Sequence, residues 1–289
     1  MWDMRYESPE SIEAAVALLA NGAGEARVLA GGTDLLVQLR AGMVEPALVV
    51  DIKNIRETRE ITAEDGGYRV GAAVSGAEVG EHAALKKAWP GVVEAVELIG
   101  STQIQGRASM GGNLCNASPA ADTVPALIAA AATCRVAGPT GQRDVAVQDI
   151  CTGPGRTSLG KGEFVVSIFL PERKALSGDA YLRFIPRTEM DIAVVGAGVN
   201  LSLDASGVCT AARVVLGAVA PTAVLVPDAG AALIGSRVDE ADLNKMVAAA
   251  RAACHPIDDK RGTVDYRVKV AGVLAQRACA IALERARNH

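Results

Sequence analysis

The sequence is poor in aromatic residues and has no surplus of positive charge. Phenylalanine, tyrosine and tryptophan make up 3% of its 289 residues, so the stacking platforms that bind single-stranded nucleic acid are missing. Its 29 lysines and arginines are outnumbered by 33 aspartates and glutamates, which gives a net charge of −4. Because nucleic-acid-binding proteins usually present a basic face, we expect no nucleic-acid partner.

Long apolar runs and a secretory leader are also missing. No apolar stretch reaches the length of about 20 residues that is needed to span a bilayer. The N-terminal "MWDMRYESPESIEAAVALLA" has acidic residues where a signal peptide has a basic start. These absences predict a chain without a membrane span that works in the cytoplasm.

Clustered metal ligands and obvious catalytic pairs are missing as well. The six cysteines stand at least 17 residues apart, the three histidines are scattered, and no CxxC motif occurs. Such spacing argues against an iron–sulfur cluster or a zinc site held by this chain alone. Isolated cysteines in a cytosolic protein usually pack as small hydrophobic residues. We predict no metal ligands and no catalytic side chains in this chain.

Half of the residues are apolar, and they are arranged in a mixture of helix and strand patterns. Strand-like runs such as "ARVLAGG" and "FVVSIFLPE" are interspersed with helical ones such as "SIEAAVALLANG". "TAEDGGYRVGAAV" predicts a hairpin, and "SGAEVGEHAALKKAWPGVVEAVELIG" predicts a helix broken at Pro90. Because no steady βαβ order occurs, the pattern favours an α+β fold, with a domain boundary between Pro171 and Tyr181.

One stretch, "VLAGGTDLLVQLR" at residues 28–40, combines two glycines with the start of a helix. A buried strand runs into Gly31 and Gly32, and Thr33 or Asp34 is placed to cap the helix that follows. Adjacent glycines at a helix start can aim several N–H groups at an anion. Taken alone, such a stretch more often marks a plain strand–turn–helix corner.

A second stretch, "RASMGGNLCNASPAADTVPAL" at residues 107–127, makes a bound ligand the better interpretation. Gly111 and Gly112 are predicted to lie in a loop between Ser109 and Asn113, whose side chains can hydrogen-bond phosphate, ribityl or ring edges. Neither stretch contains a Walker A pattern. Together they predict a site for a long cofactor that bears phosphate.

A third glycine stretch, "VVGAGVNLSL" at residues 194–203, imitates a dinucleotide fingerprint. Gly196 and Gly198 fit that fingerprint, but Leu201 stands at the third glycine position. Apolar and polar residues then alternate as they do in a strand. We interpret this stretch as a core strand.

The motifs together resemble the FAD-binding medium subunit of the xanthine dehydrogenase and carbon monoxide dehydrogenase family of molybdenum hydroxylases. "AGGTDLL" and "SMGGNLCNASPAADTVPAL" carry the resemblance, which continues through "RFIPRTEMDIAVVGAGV" and "LGAVAPTAV". It implies an FAD-binding region of two subdomains related to vanillyl-alcohol oxidase, at residues 1–174, with subdomains of about 1–56 and 57–174. A C-terminal domain at residues 178–289 would pair a small antiparallel sheet with a helical bundle.

The resemblance also implies which residues contact FAD. The first glycine stretch would wrap the pyrophosphate, and the second stretch with Asp122 would hold the ribityl and diphosphate part. Phe164 and Val165 would line the adenine side, Arg183 stands where a lysine near the flavin is common, and two isoleucines would cover the ring faces. The full set is Val28, Leu29, Ala30, Gly31, Gly32, Thr33, Asp34, Leu35, Ile99, Ser109, Gly111, Gly112, Asn113, Asp122, Phe164, Val165, Arg183 and Ile192.

The resemblance further implies a role in electron transfer. In that family, FAD takes electrons from [2Fe-2S] clusters of a small subunit, which receive them from the molybdenum cofactor of a large subunit, and passes them to an external acceptor. We therefore expect a heterotrimer, alone or paired, in which this chain does not itself oxidise the organic substrate. A stand-alone FAD-dependent oxidoreductase remains an alternative. An assembly protein that has lost FAD is a further one, against which the intact double glycines argue.

The sequence departs from the family at a few positions. Gln105 stands where an arginine is common, "SM" at residues 109–110 replaces threonine–isoleucine, and Ile192 stands where some members carry tyrosine. The cysteine-rich insertion that holds an additional iron–sulfur cluster in benzoyl-CoA-type reductases is absent. The polar loop predicted at residues 102–108 and the "RTEM" turn at residues 187–190 are expected to border the iron–sulfur subunit.

Overall fold

The computed structural model describes residues 4–22 and 24–288, and it begins with a small parallel sheet. The elements of this part are β1 (Arg5–Glu7), α1 (Ile12–Asn21), β2 (Ala26–Leu29), α2 (Leu35–Arg40) and β3 (Leu48–Asp51). β3 lies between β1 and β2, and α1 and α2 provide the crossovers that parallel strands require. Because Leu29 pairs with Asp51 at the strand ends, the glycines after β2 lie beside the residues that follow β3.

An antiparallel sheet with a cover of helices follows. Its strands have the spatial order β4–β5–β10–β6–β7, and a separate two-stranded hairpin precedes β10. The elements are β4 (Ile61–Glu64), β5 (Gly67–Gly71), α3 (Gly76–Glu81), α4 (Ala83–Ala88), α5 (Pro90–Glu97), α6 (Thr102–Gln105), α7 (Met110–Cys115), α8 (Thr123–Ala129), β6 (Thr133–Gly138), β7 (Gly141–Ala146), β8 (Cys151–Gly153), β9 (Arg156–Thr157) and β10 (Phe164–Leu170). Asp65 and Gly66 both have positive φ, as a two-residue hairpin turn needs, so the predicted hairpin is confirmed.

The C-terminal part is a second antiparallel sheet packed against helices. Its strands follow one another in the order β11–β12–β13–β14, and its longest helix covers one face of the sheet. The elements are β11 (Ser177–Phe184), β12 (Val195–Leu203), β13 (Cys209–Gly217), β14 (Val224–Leu225), α9 (Pro227–Ala231), α10 (Glu240–Ala252) and α11 (Val264–Asn288). The α+β fold class is therefore confirmed, as is the strand interpretation of "VVGAGVNLSL".

Two large apolar cores follow this division. The first lies among the two N-terminal sheets and α5 and α8, and the second lies between the C-terminal sheet and α10 and α11. Tyr181 and Val215 of the C-terminal sheet belong to the first core, so the two parts of the chain share a packed interface. No helix within residues 4–22 and 24–288 is long and apolar enough to cross a membrane.

Local structure differs from the sequence prediction at three places. The helix predicted before residue 98 is broken at His82 as well as at Pro90, because the His82 Nδ1 accepts a hydrogen bond from the Leu85 N–H (3.1 Å) and starts a new helix. The second glycine stretch is not a loop: Gly111 and Gly112 lie in the first turn of α7. Residues 102–105, expected to be part of a loop, form α6.

Candidate functional site

A cleft with a volume of about 560 Å³ opens between the parallel-sheet part and the antiparallel-sheet part. Sites for small molecules and cofactors typically enclose roughly 300–1,000 Å³. The structure brings fourteen of the eighteen predicted contact residues together on its walls: Val28, Ala30, Gly31, Gly32, Thr33, Asp34, Leu35, Ile99, Ser109, Gly111, Gly112, Asn113, Phe164 and Val165.

The other four predicted residues do not line this cleft. Leu29 is 8% exposed and packs in a small apolar cluster with Leu39 and Val49. Asp122 and Arg183 bind each other, as described below. Ile192 is half exposed, at 50%, in the segment that follows β11.

Residues 28–35, here called the first glycine segment, line the cleft except at Leu29 and contain backbone donors without a protein partner. Among the described residues, the N–H groups from Gly31 to Leu35 donate no hydrogen bond to another protein group. Helical bonding begins when the Leu36 N–H donates to the Gly32 carbonyl at 3.0 Å. The predicted cap is wrong, because Asp34 is already helical and its side chain makes no capping bond. Five free donors on one wall suit an anionic group.

The two glycines of the first segment are required for different reasons. A Cβ on Gly31 would lie 1.8 Å from the Arg107 carbonyl oxygen, so the position is occupied by protein backbone rather than by a ligand. Gly32 has φ +82°, a conformation that L side chains rarely adopt, and its Cβ would lie 2.9 Å from the Leu29 Cδ1. The first segment is thus pressed directly against the chain that leads into the second.

Residues 109–113, here called the second glycine segment, are held by their own side chains. The Ser109 hydroxyl accepts a hydrogen bond from the Gly112 N–H (3.1 Å) and caps α7. A Cβ on Gly111 would lie 2.5 Å from the Ala72 carbonyl oxygen. On Gly112 it would meet nothing but the Ser109 hydroxyl, at 3.1 Å, so Gly112 leaves open space toward the cleft.

The side-chain oxygen of Asn113 stabilises the fold rather than facing a ligand. It accepts hydrogen bonds from the Thr123 N–H (3.1 Å) and the Thr123 hydroxyl (2.7 Å), and so caps the start of α8. The side chain of Asp122, the residue directly before α8, makes no capping bond. The amide nitrogen of Asn113 remains the part of this side chain that can serve a ligand.

Several cleft residues were missed by the sequence analysis. Gln38 donates to the Asn116 side-chain oxygen (3.1 Å) and so links α2 to the end of α7. Another missed part of the wall follows β8 and includes Gly155, Thr157, Leu159, Gly160 and Glu163. "GPG" at residues 153–155 indicates a turn, but no local pattern shows that this turn reaches the cleft.

Asp122 forms a buried network across the two parts of the chain. It accepts hydrogen bonds from the Tyr181 hydroxyl (3.0 Å) and from the Arg183 guanidinium (2.8 Å), both on β11. Burial raises the pKa of the Asp122 carboxyl from 3.8 to about 6, although both partners act in the opposite direction. The Asp122–Arg183 pair therefore joins α8 to the C-terminal sheet.

Two family models cover the chain in order. One, described as "FAD binding domain in molybdopterin dehydrogenase", matches residues 2–173. The other, described as "CO dehydrogenase flavoprotein C-terminal domain", matches residues 180–282. The chain belongs to the FAD-binding subunits of the molybdopterin dehydrogenases.

Known members of this family are similar over most of their length. The carbon monoxide dehydrogenase medium chain of Afipia carboxidovorans is 33% identical over 283 residues, 98% of each chain. The putative xanthine dehydrogenase FAD-binding subunit of Escherichia coli K12 is 34% identical over 76% of this chain and 75% of its own. A crystal structure of a Cu,Mo-CO dehydrogenase in its cyanide-inactivated form superimposes with a TM-score of 0.93, at 33% identity and 98% coverage of both chains.

The cleft of this molybdopterin-dehydrogenase flavoprotein fits FAD. Its free N–H groups suit a diphosphate, the open space at Gly112 admits a cofactor close to the backbone, and Phe164, Val165 and Leu159 give it apolar walls. Bound there, FAD would supply the redox chemistry while the protein supplies binding and orientation.

Proposed function

We propose that this chain is the electron-transferring FAD subunit of a molybdenum hydroxylase. FAD would take electrons from [2Fe-2S] clusters of a small partner subunit, supplied by the molybdenum cofactor of a large one, and pass them to an external acceptor. The complex would be a cytoplasmic heterotrimer, alone or paired. Within this chain, residues 1–174 would form the FAD-binding domain, divided near residue 56, and residues 178–289 the C-terminal domain.

The observation that carries this proposal is that the cleft is lined both by residues 31–35, whose N–H groups have no partner among the described residues, and by Gly112, which leaves open space. The eighteen residues predicted from the sequence remain our proposed contacts. Residues 31–35 would bind the diphosphate, and the second glycine segment, which includes Ser109 and Asn113, would bind the ribityl part. Asp122 and Arg183 would bind mainly to each other, and they would approach the cofactor from the side of the C-terminal sheet.

Cofactor content and reduction test the proposal. The complex, expressed with its partner subunits and purified anaerobically, should hold one FAD in this chain and iron and molybdenum in the others. Substrate added to the complex should bleach the flavin absorbance, whereas the isolated chain should bind FAD without being reduced by substrate. A chain that purifies alone and oxidises an organic substrate would instead support the stand-alone oxidoreductase.

The segment expected to border the iron–sulfur subunit remains a proposal with one supporting contact. The Met190 N–H donates to the Gly100 carbonyl (3.4 Å), which brings "RTEM" beside Ile99 at one end of the cleft. In this region Gln103 and Arg107 are exposed, whereas Gln105 is partly buried and donates to the Glu97 carbonyl. Polar, exposed side chains suit the wet rim of an interface.

This interface is tested by introducing negative charge at residues 103 and 107. We expect Gln103→Glu together with Arg107→Glu to leave FAD content normal but to slow flavin reduction by the clusters at least tenfold or to dissociate the complex during size-exclusion chromatography. Lys87→Glu on α4, exposed on another helix, is the matched control. An intact complex with unchanged reduction kinetics would place the interface elsewhere.

A further inference from the structure

Lys53 makes a specific contact with the backbone of the first glycine segment. It lies just after β3, in a short 3₁₀ turn at Ile52–Asn54, and its side chain is 19% exposed. Its ammonium group donates to the Ala30 carbonyl oxygen (2.9 Å) and to the Asp51 Oδ1 (2.7 Å). The register of β2 on β3 brings these residues together, since both strands end at the same edge.

Asp51 holds the lysine in place from the other side. The Asp51 Oδ1 also accepts the Lys53 N–H (3.0 Å), and its Oδ2 accepts the Tyr6 hydroxyl (2.7 Å). Burial acts to raise the pKa of the Asp51 carboxyl, but the hydrogen bonds from Lys53 and Tyr6 outweigh it and keep that pKa below its ordinary value. Asp51 is therefore ionised, and its negative charge largely balances the positive charge of Lys53.

Because the Ala30 carbonyl and the Gly31 N–H belong to the same peptide bond, the contact with Lys53 also fixes the direction of the Gly31 N–H. In a trans peptide the C=O and the N–H point to opposite sides. Because the Ala30 oxygen is held by Lys53, which does not line the cleft, the Gly31 N–H lies on the side of this peptide away from Lys53. A rotation of this peptide would place the carbonyl oxygen in the cleft, where it would repel an anion.

Glycine makes such a rotation easy, because it restricts the backbone less than any other residue. Two glycines follow Ala30, and one of them already has positive φ. A binding wall made of free N–H groups beside flexible residues needs an external restraint to keep its donors aligned. Lys53 is the side chain that supplies this restraint at the Ala30 carbonyl.

We propose that Lys53 is a positioning residue for the diphosphate of FAD, acting through the Ala30–Gly31 peptide and anchored by Asp51 and Tyr6. The inference rests on the proposed placement of the diphosphate at residues 31–35. Since Asp51 balances the lysine charge, Lys53 acts by orienting the peptide rather than by attracting the anion from a distance.

Lys53→Met tests this role, because methionine keeps the length of the side chain and removes the donor. We expect the dissociation constant for FAD, measured by fluorescence titration of the apoprotein, to rise about tenfold or more, as for one lost hydrogen bond to a charged group. The dissociation constant for riboflavin, which has no phosphate, should change less than twofold. Lys87→Met, at an exposed position on α4, is the matched control and should change neither.

Two further variants keep the result interpretable if Lys53→Met is unstable. Lys53→Arg keeps a donor and a charge and should recover part of the FAD affinity, and Tyr6→Phe should weaken FAD binding by a smaller factor. Unchanged FAD affinity in Lys53→Met, or an equal loss for FAD and riboflavin, would overturn the proposed role. A wild-type chain that binds no FAD would instead contradict the cleft assignment itself.

Discussion

The two glycine segments share a sequence pattern but have different roles in the cleft. In residues 28–35, the backbone N–H groups from Gly31 to Leu35 have no partner among the described residues, and the restraint comes from outside, through Lys53 and the chain at Arg107. In residues 109–113, the side chains of Ser109 and Asn113 are used to cap α7 and α8. The first segment is therefore organised to bind an anion and the second to hold its own helices.

The comparison shows that a glycine pair does not by itself mark a ligand. Gly31 and Gly111 are glycines because protein backbone occupies the space of a Cβ, at 1.8 Å and 2.5 Å respectively. Gly32 is required by its positive φ, and Gly112 faces open space in the cleft. Within these four positions, a substitution that affects the ligand alone is expected at Gly112.

The largest effect is expected at Gly31. Gly31→Ala places a Cβ against the Arg107 carbonyl, which belongs to backbone and cannot move aside cheaply. We expect the free energy of unfolding of the apoprotein to fall by about 4 kcal/mol or more, with little soluble protein. Gly106→Ala is the control, since the nearest atom to its Cβ is 3.8 Å away. A stable Gly31→Ala protein would contradict the packing argument.

The next effect separates folding from binding. Gly112→Val adds methyl groups that project toward the cleft, with the Ser109 hydroxyl as the nearest protein atom. Thermal unfolding of the apoprotein should change little, whereas the dissociation constant for FAD should rise more than a hundredfold. Gly112→Ala should have a smaller effect on both measurements. If Gly112→Val retains its full FAD content, the cofactor does not approach the second segment.

A pH-dependent effect is expected at Asp122, which follows the second segment and joins it to the C-terminal sheet. Its folded pKa, about 6, lies above the unfolded value of 3.8, so its contribution to stability is complete below pH 4 and is lost as the pH rises through 6. Urea unfolding between pH 4 and pH 7 should show this loss, up to about 3 kcal/mol, relative to Asp122→Asn, which does not titrate. A pH-independent difference between the two proteins would mean that Asp122 is not protonated in the fold.

The smallest effect is expected at Asn113. Asn113→Ala removes the acceptor for the Thr123 N–H and hydroxyl, and the loss of a helix cap costs about 1 kcal/mol of stability. FAD affinity should fall by less than for Lys53→Met, because the first segment provides the donors for the diphosphate. A larger loss of affinity in Asn113→Ala than in Lys53→Met would reverse the assignment of roles.

The sequence predicts what depends on local patterns. The hairpin at Asp65–Gly66 and the strand character of residues 195–203 follow from turn chemistry and alternation, and the structure confirms them. The contact between Gly31 and Arg107 joins positions far apart in sequence, so no local pattern reveals it. The break at His82 was missed because histidine is an uncommon cap.

The same limit applies to the site. Eleven of the fourteen predicted residues that line the cleft belong to two motifs whose glycines could be recognised in the sequence. Lys53 was missed because its role is visible only once β2 and β3 are paired and its ammonium group meets the Ala30 carbonyl. Asp122 and Arg183 satisfy each other across two domains, a pairing that separate motifs cannot reveal.

The most direct test of the central claim is a crystal structure of the FAD-loaded protein. We predict that diphosphate oxygens accept hydrogen bonds from N–H groups of residues 31–35, that the Ala30 carbonyl still accepts a hydrogen bond from Lys53, and that the cofactor passes over Gly112. A diphosphate bound by other residues, with the N–H groups of residues 31–35 still free, would contradict it.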